Sequence, residues 1–489
     1  MSKIKSLILG SAAVIAASAG AQAADLPVKA KAVQYVKICS LYGAGFYYIP
    51  GTDTCIKLGG YVQADANFNG GNYGKPAWQV VATDVNGAHS RDADFFTTRT
   101  RTQLNIDTRT ATEYGVVRTF WSSNFQHSTG EGPSSGVLTM DYGFVQFAGF
   151  TFGKAVSVFQ TPWGAYGGNQ NNSFTLGAYD DATGVTQAAY TWQFGNGVSA
   201  SVAVEDARGI FRGPLINGSA APTAANLYTG VYASASGGNT APDITGNIKI
   251  DQAAFTAQLS AAAHNIHSTY YGANETTGHP SDAWGFAIQG GLQLKNLPTG
   301  PGDKLSISGI YTDGAIKYVI SGVTGTSFAS YGGGEGGLGY NTFAAFPVAD
   351  GVFATGGSIE KTKAWGFQGA FVHNWTPNWE TSVFGSYTNV DFNTNASAIL
   401  CAAPAAGTTR SVGATCNPDY NIWQIGSRTA WTPVQNLTFS AEVMYTTLDQ
   451  NNTGTLTSTT APTTFKPAGT YEYKDQGIVS GNIRVRRTW

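Results

Sequence analysis

The chain has 489 residues, with 28 Lys and Arg against 30 Asp and Glu, and a formal net charge of −2; that balance leaves no basic footprint for nucleic acid. Only 12% of its residues are charged, whereas Gly (62), Phe (26), Tyr (24) and Trp (11) are abundant, and a soluble protein of this size carries about twice that charged fraction. With no apolar run long enough for a spanning helix, this is the composition of a transmembrane β-barrel, against which a secreted β-sandwich or β-solenoid is the competing architecture.

The chain opens with Lys3 and Lys5, an apolar run from Leu7 to Ala19, and the small-x-small sequence Ala21-Gln22-Ala23. Together these form an export signal over 1–23, too short to cross a bilayer, which takes ~20 apolar residues. Cleavage after Ala23 would leave 466 residues and, without the two lysines, a formal charge of −4. Residues 24–55 show little alternation and form a lead-in; the barrel is expected over 56–489. The four cysteines fall in two close pairs, Cys39 with Cys55 and Cys401 with Cys416. Export permits disulfides, and each would close a loop of roughly 15 residues, contributing about 3 kcal/mol in the chain-entropy picture. Neither pair has CxxC spacing or a nearby histidine, so structural clips fit better than a metal site.

Period-two alternation then marks sixteen strands. The first is Ile56 to Phe68, with Ile56, Leu58, Val62 and Ala64 on one face and Lys57, Tyr61, Gln63 and Asp65 on the other. The second, Phe95 to Asp107, sets the orientation of the faces. Arg99, Arg101, Gln103 and Asn105 share one side; an arginine on the lipid side near the bilayer midplane costs ~2–4 kcal/mol, so that side faces water. The opposite, Thr-rich face is polar for lipid contact and suits packing against a neighbouring subunit. There follow Tyr114 to Phe125, Val137 to Phe147, Phe150 to Lys154, Thr186 to Phe194, and Val198 to Glu205, the last two joined by an Asn196-Gly197 hairpin turn. The series continues through Ile244 to Asp251, Ala253 to His264, Trp284 to Lys295, Lys304 to Thr312, Lys363 to Trp375, Trp379 to Phe392, Asn421 to Trp431, Leu437 to Leu448 and Gln476 to Trp489.

Connections after even-numbered strands are short, from two to about eight residues, and those after odd-numbered strands are nearly all long. This is the arrangement of an all-β, antiparallel, 16-stranded transmembrane barrel with short periplasmic turns and long extracellular loops. Its last strand must close on its first, because an open edge cannot be hydrated in lipid. Trp375, Trp379, Trp431 and Trp489, at strand ends, fit a periplasmic aromatic girdle. Residues 155–185 form a 31-residue connection in a chain that elsewhere joins strands by two-residue turns, and are expected to fold into the bore and set what can pass.

A pore selects by width and by the charge of its narrowest ring. Asp180 and Asp181 are the acidic residues of 155–185, and the constriction is expected to set them against Arg99, Arg101, Arg118 and Arg484. Arg428 and Arg486 lie nearer the exits, and Gln103 and Gln63 complete the pore lining. The alternative places Asp180 and Asp181 at the surface, capping a turn. The charge of −4 favours cations and the lumen arginines favour anions. Arg487 falls on the lipid side by parity, close enough to the terminus to reach the interface. Enzyme signatures are weak: there is no GxSxG or HExxH. His264 and His267 point to opposite faces of a strand end. The Gly332–Gly337 string matches GxGxxG without the strand and helix that give that motif its mechanism. Asp84-Val85-Asn86-Gly87 lacks the bidentate glutamate of a calcium loop. No metal, cofactor or catalytic residue is assigned.

The segment Cys39 to Val62, CSLYGAGFYYIPGTDTCIKLGGYV, the 155–185 region and the closing GNIRVRRTW, Gly481 to Trp489, resemble the general porins of alphaproteobacterial outer membranes. The resemblance spans the whole mature chain. It implies a homotrimer in the cell outer membrane that passes small hydrophilic solutes passively, with the third loop folded inwards. Lipid, lipopolysaccharide and the barrel-assembly machinery are the other implied partners, the last reading the terminal aromatic; Trp489 stands where such porins commonly end in Phe. A substrate-selective channel and a surface adhesion protein are the alternative functions.

Overall fold

The computed structural model describes residues 37–69, 95–163, 167–169, 175–178, 184–209, 211–219, 234–321, 342–402, 407–461 and 467–489. The export signal over 1–23, the Asp84–Gly87 and Gly332–Gly337 stretches, and both Asp180 and Asp181 lie outside these residues.

The chain divides into two compact units, Met1–Cys55 and Ile56–Trp489. In the first, the Cys39–Cys55 disulfide joins Cα atoms 6.0 Å apart, and both cysteines pack with Phe46, flanked by Tyr42 and Tyr48. So small a unit has little apolar surface to bury, and the covalent clip does much of the work of a core.

The second unit is built on sixteen strands: β1 (Thr54–Phe68), β2 (Phe96–Thr112), β3 (Gly115–Ser128), β4 (Val137–Phe147), β5 (Phe150–Ala155), β6 (Val185–Gly195), β7 (Val198–Glu205) and β8 (Asp243–Asp251); then β9 (Phe255–Ile266), β10 (Ala283–Lys295), β11 (Lys304–Asp313), β12 (Lys363–Thr376), β13 (Trp379–Asp391), β14 (Tyr420–Val434), β15 (Leu437–Gln450) and β16 (Gln476–Thr488). Each pairs with its neighbours in sequence, and β1 pairs with both β2 and β16, so the sheet closes into an antiparallel barrel. The strands follow the expected spans to within three residues, except that β2 runs on to Thr112. Its alternation persists through Thr108, Arg109 and Thr110 until Glu113-Tyr114 turns the chain.

The turns are the local reason for this register. At Asn196-Gly197 both residues have positive φ, 50° and 73°, the twist that a two-residue hairpin needs. Outward positions carry Val62, Leu259, Trp284, Ile307, Phe367, Val443 and Ile483, all exposed, whereas inward positions carry Gln63, Asp65, Gln258, Gln289, Gln368, Gln424 and Asn482, all buried. Apolar out and polar in is the inverse of a soluble protein, and it is what lipid outside and water inside require. Trp379 and Trp431 stack at 5.6 Å beside the short 377–378 and 435–436 turns, within a row of exposed tryptophans that includes Trp375 and Trp489.

The odd-numbered connections carry structure of their own. Gly351–Phe353 pairs in parallel with Leu215–Asn217, tying 314–362 to 206–242. Thr342–Phe343, Gly469–Tyr473, Thr455–Ser458 and Thr408–Arg410 form a four-stranded sheet from three connections. A short helix, α1 (Thr394–Cys401), is capped by Asn393, whose side chain accepts from Ala396 N, and ends at the Cys401–Cys416 disulfide. A large apolar cluster joins the inner wall (Ala262, Ile310, Ala364, Ile422, Leu448) to Phe159 and Leu176 of the 155–185 region and to Ile316, Tyr318, Val319, Phe346 and Val352 of 314–362. The described parts of the connection 314–362 therefore pack against the inner wall. Its runs Ala315–Ile320 and Phe343–Val348 are more apolar than a solvated loop carries.

Candidate functional site

The polar inner wall is organised in rows that follow from strand register. β1 sits between β16 and β2, and Asp65 stands directly opposite Arg484. Its carboxylate accepts Arg484 Nε at 2.6 Å on one oxygen, and Arg99 Nε and Nη2, each at 3.1 Å, on the other. Gln63 Nε2 adds a fourth donor at 2.7 Å. Arg99, Arg484 and Asp65 are all nearly inaccessible, at 2%, 5% and 3% exposure. A carboxylate shared by two guanidiniums satisfies the charges that burial would otherwise penalise.

The next row holds Arg101 and Arg486, on the strands either side of β1. Gln126 Oε1 accepts Arg101 Nε and Nη2 at 2.8 and 2.6 Å. Gln63 Oε1 accepts the same two atoms of Arg486 at 2.9 and 2.6 Å, and the Arg486 guanidinium lies 4.4 Å from the Tyr61 ring centre. Both arginines remain half-buried. Gln103 donates to Ser122 Oγ at 3.1 Å and to Asp141 at 3.4 Å. Farther along β2 and β3, Asp107 is shared by Arg118 and Arg109, each at 3.0 Å. The Arg118 guanidinium lies over Phe120 and Phe144. Arg428 stands apart from this group, on β14, and pairs with Glu380 of β13.

The described parts of 155–185 lie against the inner wall. Ser157 Oγ and Val158 N donate to the buried Glu205, and Gln258 donates to Gln160 O at 2.7 Å. Thr161 and Trp163 rest over Gly291 of β10. Ser382 Oγ donates to Gly167 O. Asn169 is held on four sides: its amide donates to Asn482 at 2.8 Å, its carbonyl side-chain oxygen accepts from Ser440 at 3.0 Å, its backbone N–H donates to Glu442, and its backbone carbonyl accepts from Arg484. Thr175 donates to Gln368 and Leu176 N to Gln424, each at 2.8 Å. At Gly177 the backbone has φ +87° and lies on the sheet itself; a Cβ there would meet the carbonyl oxygens of Tyr387 and Phe367 at 2.5 and 2.6 Å. The facing position on β12 is also glycine, Gly366, whose own Cβ would meet Gly177 Cα at 2.5 Å. Two glycines let the backbones touch where any side chain would hold them apart.

A last buried group anchors the connections. His264 Nδ1 is 2.8 Å from Asp243, its Nε2 is 3.4 Å from Asp350, and Tyr318 donates to Asp243 at 2.7 Å. Asp350 in turn accepts from Ile316 N at 2.9 Å and from Gly213 N. His264 is buried, whereas His267 is partly exposed and meets Asp282 at 2.7 Å.

Four predicted pore arginines, Arg99, Arg101, Arg484 and Arg486, thus come together with Gln63 on adjacent strands; Arg118 and Gln103 adjoin them, and Arg428 does not. Sequence reasoning passed over Asp65, Asp107, Glu205, Glu442 and the His264 group. Asp65 was legible as an inward residue of β1, but its two partners come from strands 34 and 419 positions away.

A family model described as the porin subfamily matches residues 25–482. The chain belongs to the porin family. This porin is 37% identical over 213 residues to porin Omp2b of Brucella suis biovar 1 (strain 1330), an alignment covering 41% of the chain and 54% of that protein. Its counterpart from Brucella canis (strain ATCC 23365 / NCTC 10854 / RM-666) is 36% identical over the same coverage. The matched region therefore spans about half the length of these curated relatives. Among solved structures, the outer membrane channel DcaP of Acinetobacter baumannii superposes with a TM-score of 0.58 at 15% identity, over 90% of this chain and 99% of that one; this likeness is one of fold. Family and barrel together make this porin a multi-pass outer-membrane protein.

Proposed function

We propose that this porin forms a water-filled channel for passive diffusion of small hydrophilic solutes and ions, without enzymatic activity, and that it works as a homotrimer in contact with outer-membrane lipid and lipopolysaccharide. The observation that carries this reading is the closed barrel with rows of polar and charged residues on its inner wall. The mature chain starts at Ala24 in this reading, and Trp489 serves the barrel-assembly machinery as its terminal signal. The region 155–185 is the constriction, with Asp180 and Asp181 opposing the arginine wall made by Arg99, Arg101, Arg118 and Arg484; Arg428, Arg486, Gln103 and Gln63 line the passage. Opposed acidic and basic walls produce a transverse field that orients dipolar solutes.

Planar-bilayer recording tests the channel: stepwise conductance is expected, and its absence from folded protein would refute the reading. Unboiled gels should show a heat-resistant trimer that dissociates on boiling. For the constriction, Asp180→Asn combined with Asp181→Asn should shift the reversal potential under a salt gradient towards anions; an unchanged potential removes the two aspartates from the narrow ring.

A further inference from the structure

A water-filled bore calls for polar side chains on its inner wall, and Phe120 and Phe144 depart from that rule. Phe120 lies between Arg118 and Ser122 on β3, two residues from each and therefore on their face. Arg118 reaches Asp107 on the inner wall, and Ser122 accepts from Gln103. Register sets Phe144 of β4 directly across from Phe120. The two rings stack at 5.4 Å and 28°, Tyr142 lies 6.3 Å from Phe120, and all three keep partial exposure. A phenyl face held towards water costs about 25 cal/mol for each Å² left uncovered, a cost that serine or glutamine would not incur there.

The surroundings hold the rings in place and keep them open. In the register row through Asp107, Phe120 and Phe144, the next inward residue, on β5, is Gly153. Its φ is +115°, and a Cβ there would meet Gly143 O at 2.4 Å, so the flank of Phe144 towards β5 carries no side chain. The row nearer the turns after β2 and β4 is Arg109, Arg118, Gln146 and Thr151. Arg118 lies 5.2 and 5.4 Å from the centres of Phe120 and Phe144. It commits Nε and Nη2 to Asp107 and Nη1 to Gln146, at 3.1, 3.0 and 2.9 Å, and so buttresses the rings without presenting an open charge. Gln146 accepts from Arg118 and donates to Thr151 at 3.1 Å. An amide has two donors and two lone pairs, so one of each remains among the described residues, and the Thr151 hydroxyl keeps its own hydrogen. With short turns on the periplasmic side, this apolar face bordered by an amide and a hydroxyl lies towards the periplasmic mouth. It adjoins Gly184, where the 155–185 region rejoins the wall against Tyr142.

We propose that Phe120 and Phe144 form a stacking platform for a neutral hexopyranose in the periplasmic half of the pore, with Gln146 and Thr151 as partners for its hydroxyls. A pyranose with equatorial hydroxyls, such as glucose, has a flat C–H face and a polar rim. Two stacked rings bordered by amide and hydroxyl groups are its complement. An uncharged solute fits because Arg118 and Asp107 are engaged with each other. The inference rests on the channel reading above and adds a class of solute whose passage saturates.

The test uses folded full-length porin in planar bilayers, reading ion current as cellobiose, a glucose dimer, is added. An oligoethylene glycol of matched size, which has no ring face, is the control. Cellobiose should depress the current saturably, and the glycol only in proportion to its concentration. Phe120→Leu with Phe144→Leu keeps the apolar surface but not the flat faces. It should raise the half-blocking concentration about tenfold, the value of stacking on two rings, whereas Phe120→Tyr with Phe144→Tyr should retain the block. Cellobiose and glycol acting alike, block unchanged in the leucine pair, or block lost in the tyrosine pair overturns the platform while leaving the channel intact. A folded wild type without conductance overturns the channel reading itself. If the leucine pair yields no heat-modifiable band, Phe144→Leu alone replaces it; weakened block then supports the platform, and unchanged block overturns it.

Discussion

Asp65 is the residue on which the arginine wall depends. Arg99 and Arg484 are too deeply buried to find water if their shared carboxylate is lost, and removing one partner from a buried ionic group costs roughly 3–5 kcal/mol. Asp65→Asn should therefore lower the temperature at which the heat-modifiable band is lost, by more than Gln103→Ala, which removes bonds to Ser122 and Asp141 but leaves no buried guanidinium unpaired. A melting temperature equal to that of wild type would show the pair to be structurally idle. Asp303, in the 296–303 turn, is governed by acid. Burial alone would raise its pKa, but hydrogen bonds from Thr299, Asn374 N and His373 outweigh this and hold the carboxyl well below the usual range. A carboxyl lowered on folding adds stability that is complete above the unfolded pKa, near 4, and is lost as pH falls through the folded value. Asp303→Asn should lower the melting temperature at pH 7, and the gap to wild type should narrow steadily below about pH 4. A gap that widens with acid would contradict the hydrogen-bonded carboxylate.

At the scale of elements, the strands and short turns were legible in the sequence and the long connections were not. β4 and β7 have the bounds that alternation assigns them, Val137–Phe147 and Val198–Glu205. A strand half in lipid and half in water carries its whole environment in a period of two, so ten residues are enough to identify it. The 314–362 connection has no such period. Its apolar runs have meaning only against Ile310, Ala364 and Ile422, and the chain does not say locally that those residues will be near. The 155–185 region lies between these cases, because its length between short turns marked it as unusual while its seat on the wall depends on Gly177 meeting Gly366. Gly177→Ala should lift this segment from β12 and β13, since the added carbon collides with two carbonyl oxygens and φ +87° disfavours a side chain. Single-channel conductance should change and its open-state noise should rise, with gel migration of the barrel unaltered. Recordings identical to wild type would mean that the wall contact does not shape the passage.

Closure is a property of the whole molecule. β1 and β16 meet through Tyr61↔Thr488 to Phe68↔Gly481, and Trp489 N donates at 3.2 Å to the carbonyl of Gly60, which itself has φ +155°. The terminal residue thus sits on the seam it closes. Trp489→Ala should reduce the fraction of chains that reach the heat-modifiable form, with little effect on the conductance of those that do; a normal folded yield would separate Trp489 from assembly. The sequence by itself determined the number of strands, their order, the side of the wall that meets lipid and the inward direction of Arg99, Arg101, Arg118, Arg484 and Arg486, because two solvents impose one rule on every strand. Only the tertiary structure decided that Asp65 is shared between Arg99 and Arg484, that Arg101 and Arg486 are held by glutamines, and that described parts of two connections pack against the inner wall. Those facts depend on shear, register and loop docking between residues up to 419 positions apart, and no local period in the chain encodes contacts at that distance.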